Sequence, residues 1–278
     1  MTAVNHPAAG DTLVFAHGNG FPGGTYAALF RIWRDAGLKV EAVDRFGHDP
    51  RHPVTSNWPH LRDELLEFTE ACSDQPVWLV GHSLGGILSL MVACRKPRRV
   101  KGLVMLDSPV VAGWRAHSVH VFKASGLMPK VSPGKVSQRR RHIWPSREAV
   151  QEHFERKAVF ARWAPEVLAD YVNSGFEERD GQWQLRFDRL VETRIYNTLP
   201  HQMGELLRRH PPKCPVGFVA GTHSLEMRQG GSAAARRLAG SRYRLIEGGH
   251  LFPMERPQET AQLVLELLEE MATTAHII

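Results

Sequence analysis

Cysteine is scarce in this sequence: there are three in 278 residues, and Cys72, Cys94 and Cys214 stand far apart. Three dispersed cysteines cannot all pair and offer no metal-ligand spacing, which fits a reducing, cytoplasmic setting. Long apolar runs are also missing. None approaches the roughly 20 residues that cross a bilayer, so no membrane span is expected. Met1 to Asp11 has no basic start leading into an apolar stretch, which argues against a secretory leader. Basic segments interleaved with aromatics are lacking as well. The net charge of +6 draws on Arg95-Lys96-Pro97-Arg98-Arg99-Val100-Lys101 and Arg139-Arg140-Arg141, short and separate runs that read as solvated surface and not as a nucleic-acid interface.

What remains is an ordinary globular composition, 42% hydrophobic and 23% charged, long enough for one α/β core with an insertion. Strand-like runs recur at Thr12 to Ala16, Lys39 to Val43, Val77 to Val80, Leu103 to Leu106, Val216 to Val219 and Tyr243 to Ile246. Helical periodicity fills Tyr26 to Ala36, Leu61 to Ala71 and Ile87 to Cys94 between the first four, and Gln262 to Met271 at the end. This alternation predicts an α/β fold: a mostly parallel sheet with helices on both faces. The rhythm breaks between Pro109 and Pro211, where Arg147 to Arg162 and Pro165 to Val172 read as helices, Asp180-Gly181 as a turn, and little as strand. A segment of that length needs structure of its own. It is expected to be a mainly helical cap at 111–208, with Trp114, Trp144, Trp163 and Trp183 supplying its apolar interior, over a core made of 1–110 and 209–278.

Gly81-His82-Ser83-Leu84-Gly85 lies directly after the run Val77 to Val80 and directly before the helical stretch from Ile87. Five residues of this pattern say little alone. Between a strand and a helix they describe a nucleophile elbow, a tight turn that stands a serine hydroxyl clear of the sheet. The glycines leave room where side chains would meet neighbouring backbone. Such a serine needs a base. Of fifteen histidines, His250 is set apart by its position in Gly248-Gly249-His250-Leu251, after the last strand and at the sheet edge where the elbow emerges. One oxyanion donor follows from position too: the N–H of Leu84, next to the serine at a helix N-terminus.

Phe15-Ala16-His17-Gly18-Asn19-Gly20, Gly81-His82-Ser83-Leu84-Gly85-Gly86 and Gly249-His250, in this order, resemble the α/β-hydrolase superfamily, and within it the cap-bearing serine esterases; the likeness covers about 11–110 and 213–270. It implies the α/β-hydrolase fold, a triad in the order serine, acid, histidine, and Asn19 as the second oxyanion donor. In many relatives the acid is an aspartate in a Gly-x-x-Asp turn. Here that turn reads Gly221-Thr222-His223-Ser224. Asp107, at the end of the strand after the nucleophile, is the expected acid, since some relatives place theirs there, and Glu226 is the alternative. His17 is expected to brace its turn, and His48 to be structural. The resemblance implies a carboxylic ester hydrolase acting on a small molecule with an apolar acyl or alcohol group, needing no cofactor and no metal. Thioesterase, lactonase and carbon–carbon bond hydrolase activities use the same machinery.

Two readings from other classes compete. Gly18-Asn19-Gly20-Phe21-Pro22-Gly23 followed by Asp44 spells the dinucleotide-binding fingerprint of an NAD(P)-dependent oxidoreductase. Pro22 tells against it, because it removes an N–H from the turn that cradles pyrophosphate. A non-catalytic binding module on the same fold is the other, kept open by the displaced acid.

Overall fold

The computed structural model describes residues 9–110 and 134–275. Among them run nine strands: β1 (Thr12–Ala16), β2 (Lys39–Ala42), β3 (Val77–His82), β4 (Val100–Leu106), β5 (Ile143–Trp144), β6 (Phe176–Arg179), β7 (Gln182–Leu185), β8 (Val216–Gly221) and β9 (Tyr243–Ile246). Six form one sheet in the order β2-β1-β3-β4-β8-β9, with every neighbouring pair parallel. Parallel neighbours require crossovers, and helices α1 (Ala27–Asp35), α2 (Pro59–Cys72) and α3 (Leu84–Arg95) make the first three.

Alternation along each central strand assigns its residues to one side of the sheet or the other. Leu13 and Phe15 of β1, Trp78 and Val80 of β3, and Val104 and Leu106 of β4 join one buried cluster with Leu29 and Trp33 of α1 and Val264 and Leu268 of the closing helix Pro257–Ala275. Their neighbours Val14, Ala16, Val77, Leu79, Leu103 and Met105 join a second cluster with Leu61 and Leu65 of α2 and Leu88 of α3. Every residue of β3 is buried, as is α3 from Leu84 to Cys94. That explains why both read as continuous apolar runs instead of amphipathic stripes.

The segment between β4 and β8, described from residue 134, carries helices Gly134–Arg139, Arg147–Glu155, Pro165–Gly175, Arg189–Asn197 and Met203–Arg209. It departs from expectation in three respects. First, β5, β7 and β6 form a three-stranded antiparallel sheet. Its hairpin turns on Asp180 and Gly181, both at positive φ (51° and 71°), as a two-residue hairpin loop demands. The turn was legible. The two hairpin strands, β6 and β7, four residues each and without valine, isoleucine or threonine, were not. Second, the helix expected over Arg147 to Arg162 ends at Glu155, and the chain turns back so that Phe160 packs on Phe154, ring centroids 4.7 Å apart. Third, Phe187, Ile195 and Met203 are buried in the core cluster of α2 and α3. Side chains of this segment therefore pack directly into the apolar interior beneath α2 and α3. Trp144 and Trp163 are buried and Trp183 partly so; Trp114 lies outside the described residues.

Candidate active site

Three loops leave the C-terminal ends of β3, β4 and β9 and meet at one edge of the sheet, where open α/β sheets gather their ligands. The first is the elbow. Ser83 has φ 53° and ψ −114°, a strained conformation for a residue with a side chain. It is held there by its own N–H, which donates to the Leu106 carbonyl of the adjoining strand (2.9 Å). Gly85 makes the turn sterically possible: a Cβ at that position would lie 1.9 Å from the Ala16 carbonyl oxygen. Leu84 opens α3 immediately after the serine. Its N–H has no acceptor among the described residues.

His250 sits in the loop after β9. Its Nε2 lies 3.0 Å from Ser83 Oγ, and its Nδ1 lies 2.7 Å from Asp107 Oδ2. A carboxylate only accepts, so Nδ1 carries the proton and Nε2 faces the serine hydroxyl as an acceptor. Asp107 is fully buried, at φ 43°, a left-handed conformation that aspartate tolerates and that swings the carboxylate off the end of β4. Besides the imidazole it accepts the Gly221 N–H on Oδ1 (2.8 Å) and the Ser224 hydroxyl on Oδ2 (2.5 Å). Three donors compensate a charge that burial alone would penalise. Glu226 is 46% exposed and its Oε2 stands 3.9 Å from His250 Nδ1, beyond hydrogen-bonding reach. Asp107, His250 and Glu226 are also a group, among the described residues, whose donor atoms cluster closely enough to hold a metal, within 4.8 Å of one another; the proton between Nδ1 and Asp107 already takes the imidazole lone-pair direction.

Asn19 lies in the loop after β1. The loop's N–H groups are largely committed within the protein: Gly18 to the Tyr26 hydroxyl (3.1 Å), Phe21 to the Gly18 carbonyl (3.1 Å) and Gly23 to the Asp44 carbonyl (2.9 Å). That of Asn19 has no acceptor among the described residues. These bonds tell against the dinucleotide reading, because three of the amides in the turn that would cradle pyrophosphate are committed within the protein. Moreover, the Asp44 carboxylate pairs with Arg186 (2.9 Å) and Arg45 (3.2 Å). His17 braces the turn as expected: Nδ1–H donates to the Gly18 carbonyl (2.8 Å) and Nε2 accepts the Phe46 N–H (2.9 Å). Complete burial pushes its pKa down to about 4. His48 donates to the Phe46 carbonyl (3.0 Å) and accepts the Asp188 N–H (3.0 Å), joining this loop to the cap.

Several residues here escaped the sequence reading. Ser224 had a signal, since it occupies the acid's place in the Gly-x-x-Asp turn. Glu192 had none. It reaches the site from 173 residues away, its backbone carbonyl accepting the Asn19 side-chain amide (3.1 Å). Its buried carboxylate pairs with Arg140 Nη1 (2.7 Å) and accepts the Ser137 hydroxyl (2.9 Å), while Arg140 Nη2 donates to the Tyr171 hydroxyl (2.9 Å).

Comparison with known proteins identifies the family and the fold. A sequence model of the alpha/beta hydrolase family matches residues 13–263. Mouse monoglyceride lipase is 29% identical over 129 residues, 44% of this chain and 43% of the lipase, so the match spans less than half of that relative. A serine hydrolase-like protein of Dictyostelium discoideum is 22% identical over 265 residues, 88% of this chain and 71% of that protein. Among solved structures, E-2-(acetamidomethylene)succinate hydrolase superposes with a TM-score of 0.74 at 18% identity, covering 93% of this chain and 91% of that one, a likeness of fold. No helix among the described residues is long and apolar enough to cross a membrane.

Proposed function

The chain belongs to the alpha/beta hydrolase family, and from that premise we propose that it hydrolyses carboxylic esters through an acyl-enzyme on Ser83. One observation carries the reading: a single imidazole has both edges engaged, Nε2 toward the Ser83 hydroxyl (3.0 Å) and Nδ1–H toward a buried carboxylate (2.7 Å). His250 takes the Ser83 proton as Oγ attacks the ester carbon, and Asp107 stabilises the imidazolium that results. The oxygen of the tetrahedral intermediate gains its charge between the N–H groups of Leu84 and Asn19, which are oriented before the reaction begins. The imidazolium returns its proton to the departing alcohol. Water, deprotonated by His250, then attacks the acyl carbon, and Ser83 recovers its proton as the acid leaves.

The substrate's apolar portion finds support in the cap. Phe21, two residues beyond Asn19, packs on Trp163 (5.6 Å) and Tyr171 (5.9 Å). An apolar acyl or alcohol group suits such a neighbourhood. The similarity to a monoglyceride lipase points the same way.

The decisive experiment is mass spectrometry after treatment with a small alkyl fluorophosphonate, comparing wild type with His250→Ala. The expected result is a stoichiometric adduct on Ser83 that the variant does not form, followed by turnover of short-chain p-nitrophenyl esters. Wild-type protein that is folded yet forms no adduct and turns over no ester would leave the binding-module reading in its place. Thioester and lactone substrates in the same panel decide the bond cleaved.

A further inference from the structure

Beneath the site runs a chain of buried hydrogen bonds that the hydrolytic cycle leaves unused. The Gly18 N–H donates to the Tyr26 hydroxyl (3.1 Å), that hydroxyl lies 2.7 Å from His82 Nδ1, and His82 Nε2 lies 2.9 Å from the His250 carbonyl oxygen. Its direction follows from its ends. A carbonyl can only accept, so Nε2 carries the His82 proton. Burial, and next the charge of His250, push the His82 pKa well below its usual 6.5, which keeps the ring neutral. Nδ1 is then an acceptor, and the Tyr26 hydroxyl spends its one hydrogen there. The phenolic oxygen is left to receive the Gly18 N–H. Every group along the chain is satisfied, and in one arrangement only.

The chain's two ends are what make it functional in character. At one end is the backbone of His250 itself. At the other is Gly18, the residue before Asn19. The bonds thus tie together two loops that are separated in sequence and belong to different strands, β9 and β1, through a residue of β3. Space is reserved for this arrangement: a Cβ on Gly18 would lie 2.8 Å from His82 Nδ1 and 3.0 Å from the Tyr26 hydroxyl oxygen. Tyr26 and His82 are 1% and 0% exposed. The His82 ring also lies against that of His250, centroids 4.9 Å apart.

We propose that His82, acting with Tyr26, is a positioning residue that holds the His250 loop and the Asn19 loop in one register. The base then reaches Ser83 Oγ while the Asn19 N–H reaches the developing oxyanion. The inference rests on the hydrolytic roles assigned above to Ser83, His250 and Asn19. A reacting group displaced by about 1 Å loses on the order of 10²-fold in rate, so a strut between these loops acts on kcat and leaves substrate binding nearly untouched.

Three variants of the full chain test this: His82→Phe, which fills the space without polar atoms; His82→Gln, which keeps a donor for the His250 carbonyl; and Tyr26→Phe. Kinetics on p-nitrophenyl butyrate are read beside thermal unfolding and the downfield proton NMR resonance of the His250 Nδ1–H bonded to Asp107. His82→Phe should lower kcat by about 10- to 100-fold with KM nearly constant and shift or broaden that resonance. His82→Gln should recover most of both. Tyr26→Phe should lower kcat while leaving the resonance in place, since it cuts only the Asn19 side. If His82→Phe does not fold, His82→Gln and Tyr26→Phe carry the test. Folded variants with lowered melting temperature but unchanged kcat and an unmoved resonance would overturn the proposal, because His82 would then serve the core alone. If wild type neither turns over the ester nor forms the Ser83 adduct, the hydrolytic reading fails; the resonance still reports whether His82 holds the imidazole.

Discussion

Ser224 donates its hydroxyl to Asp107 Oδ2 over 2.5 Å, from the very turn in which the family resemblance anticipates the acid. The Ser224 Oγ in turn accepts the Met227 N–H (3.1 Å) as the N-cap of helix Leu225–Gly230, which fixes its orientation. In this chain the carboxylate that meets the imidazole stands at the end of β4, and a hydroxyl from the turn after β8 donates to it. Parallel pairing brings the two positions together. Leu106 of β4 stands in register with Val219 of β8, so the two strand ends lie side by side, about 4.8 Å apart. A carboxylate on either can face the same imidazole.

Asp107→Asn is expected to lower kcat/KM on a p-nitrophenyl ester by about 10⁴-fold, since the amide cannot compensate an imidazolium. Glu226→Gln is expected to change it by less than about 3-fold, because an exposed carboxylate is screened by solvent. Steady-state kinetics on the two variants settles the acid. The opposite ranking would transfer the role to Glu226.

Gly85→Ala puts a methyl group where the Ala16 carbonyl oxygen stands 1.9 Å away. The methyl is fixed rigidly to the elbow and the atom it meets is backbone, so either β1 or the elbow must shift. The expected cost is about 3 kcal/mol in urea unfolding, together with loss of fluorophosphonate labelling in the protein that remains folded.

Glu192→Gln removes one partner of a nearly buried ion pair, leaving Arg140, whose side chain is 18% exposed, without its carboxylate. An uncompensated charge in such a position costs about 3 kcal/mol. Equilibrium unfolding measures the loss. A folded variant within about 0.5 kcal/mol of wild type would show that the pair does not hold the cap against the Asn19 loop.

Stability should fall as the solution is acidified from neutral, and His17 supplies a resolvable share. Its pKa is about 4 in the folded chain against 6.5 in the unfolded chain. Below pH 6.5 the unfolded state therefore binds a proton that the native state refuses. The native state loses about 1.4 kcal/mol per pH unit until its own pKa is passed. Half-buried Glu64, raised from 4.5 to about 7 chiefly by desolvation, acts in the opposite sense, gaining stability as pH falls from 7 toward 4.5. His17→Gln, which keeps an acceptor for the Phe46 N–H, isolates the first effect. Its unfolding free energy plotted between pH 6 and 4.5 should be less steep in the acid-destabilising direction by about 1.4 kcal/mol per unit.

Local order was the legible part of this chain. The six sheet strands lie where apolar runs mark them, and the elbow declares itself because strand, turn and helix are contiguous. Position alone singles out His250, after the last strand. The cap hairpin was missed because Phe176-Glu177-Glu178-Arg179 and Gln182-Trp183-Gln184-Leu185 carry neither length nor β-branched residues, and their pairing with Ile143-Trp144 is tertiary.

Sequence by itself determined the α/β architecture and marked Ser83, the Leu84 N–H and His250 as candidates, because alternating strands and helices and the turns between them are local patterns; Asn19 entered by resemblance. Tertiary structure decided which carboxylate meets the imidazole. It also decided that Glu192 reaches the Asn19 loop from the cap, and that His82 is bonded to the carbonyl of His250. Those choices depend on which strand ends become neighbours and on the space left between them. Such distances are set by packing a whole sheet between its helices, and no local pattern encodes them.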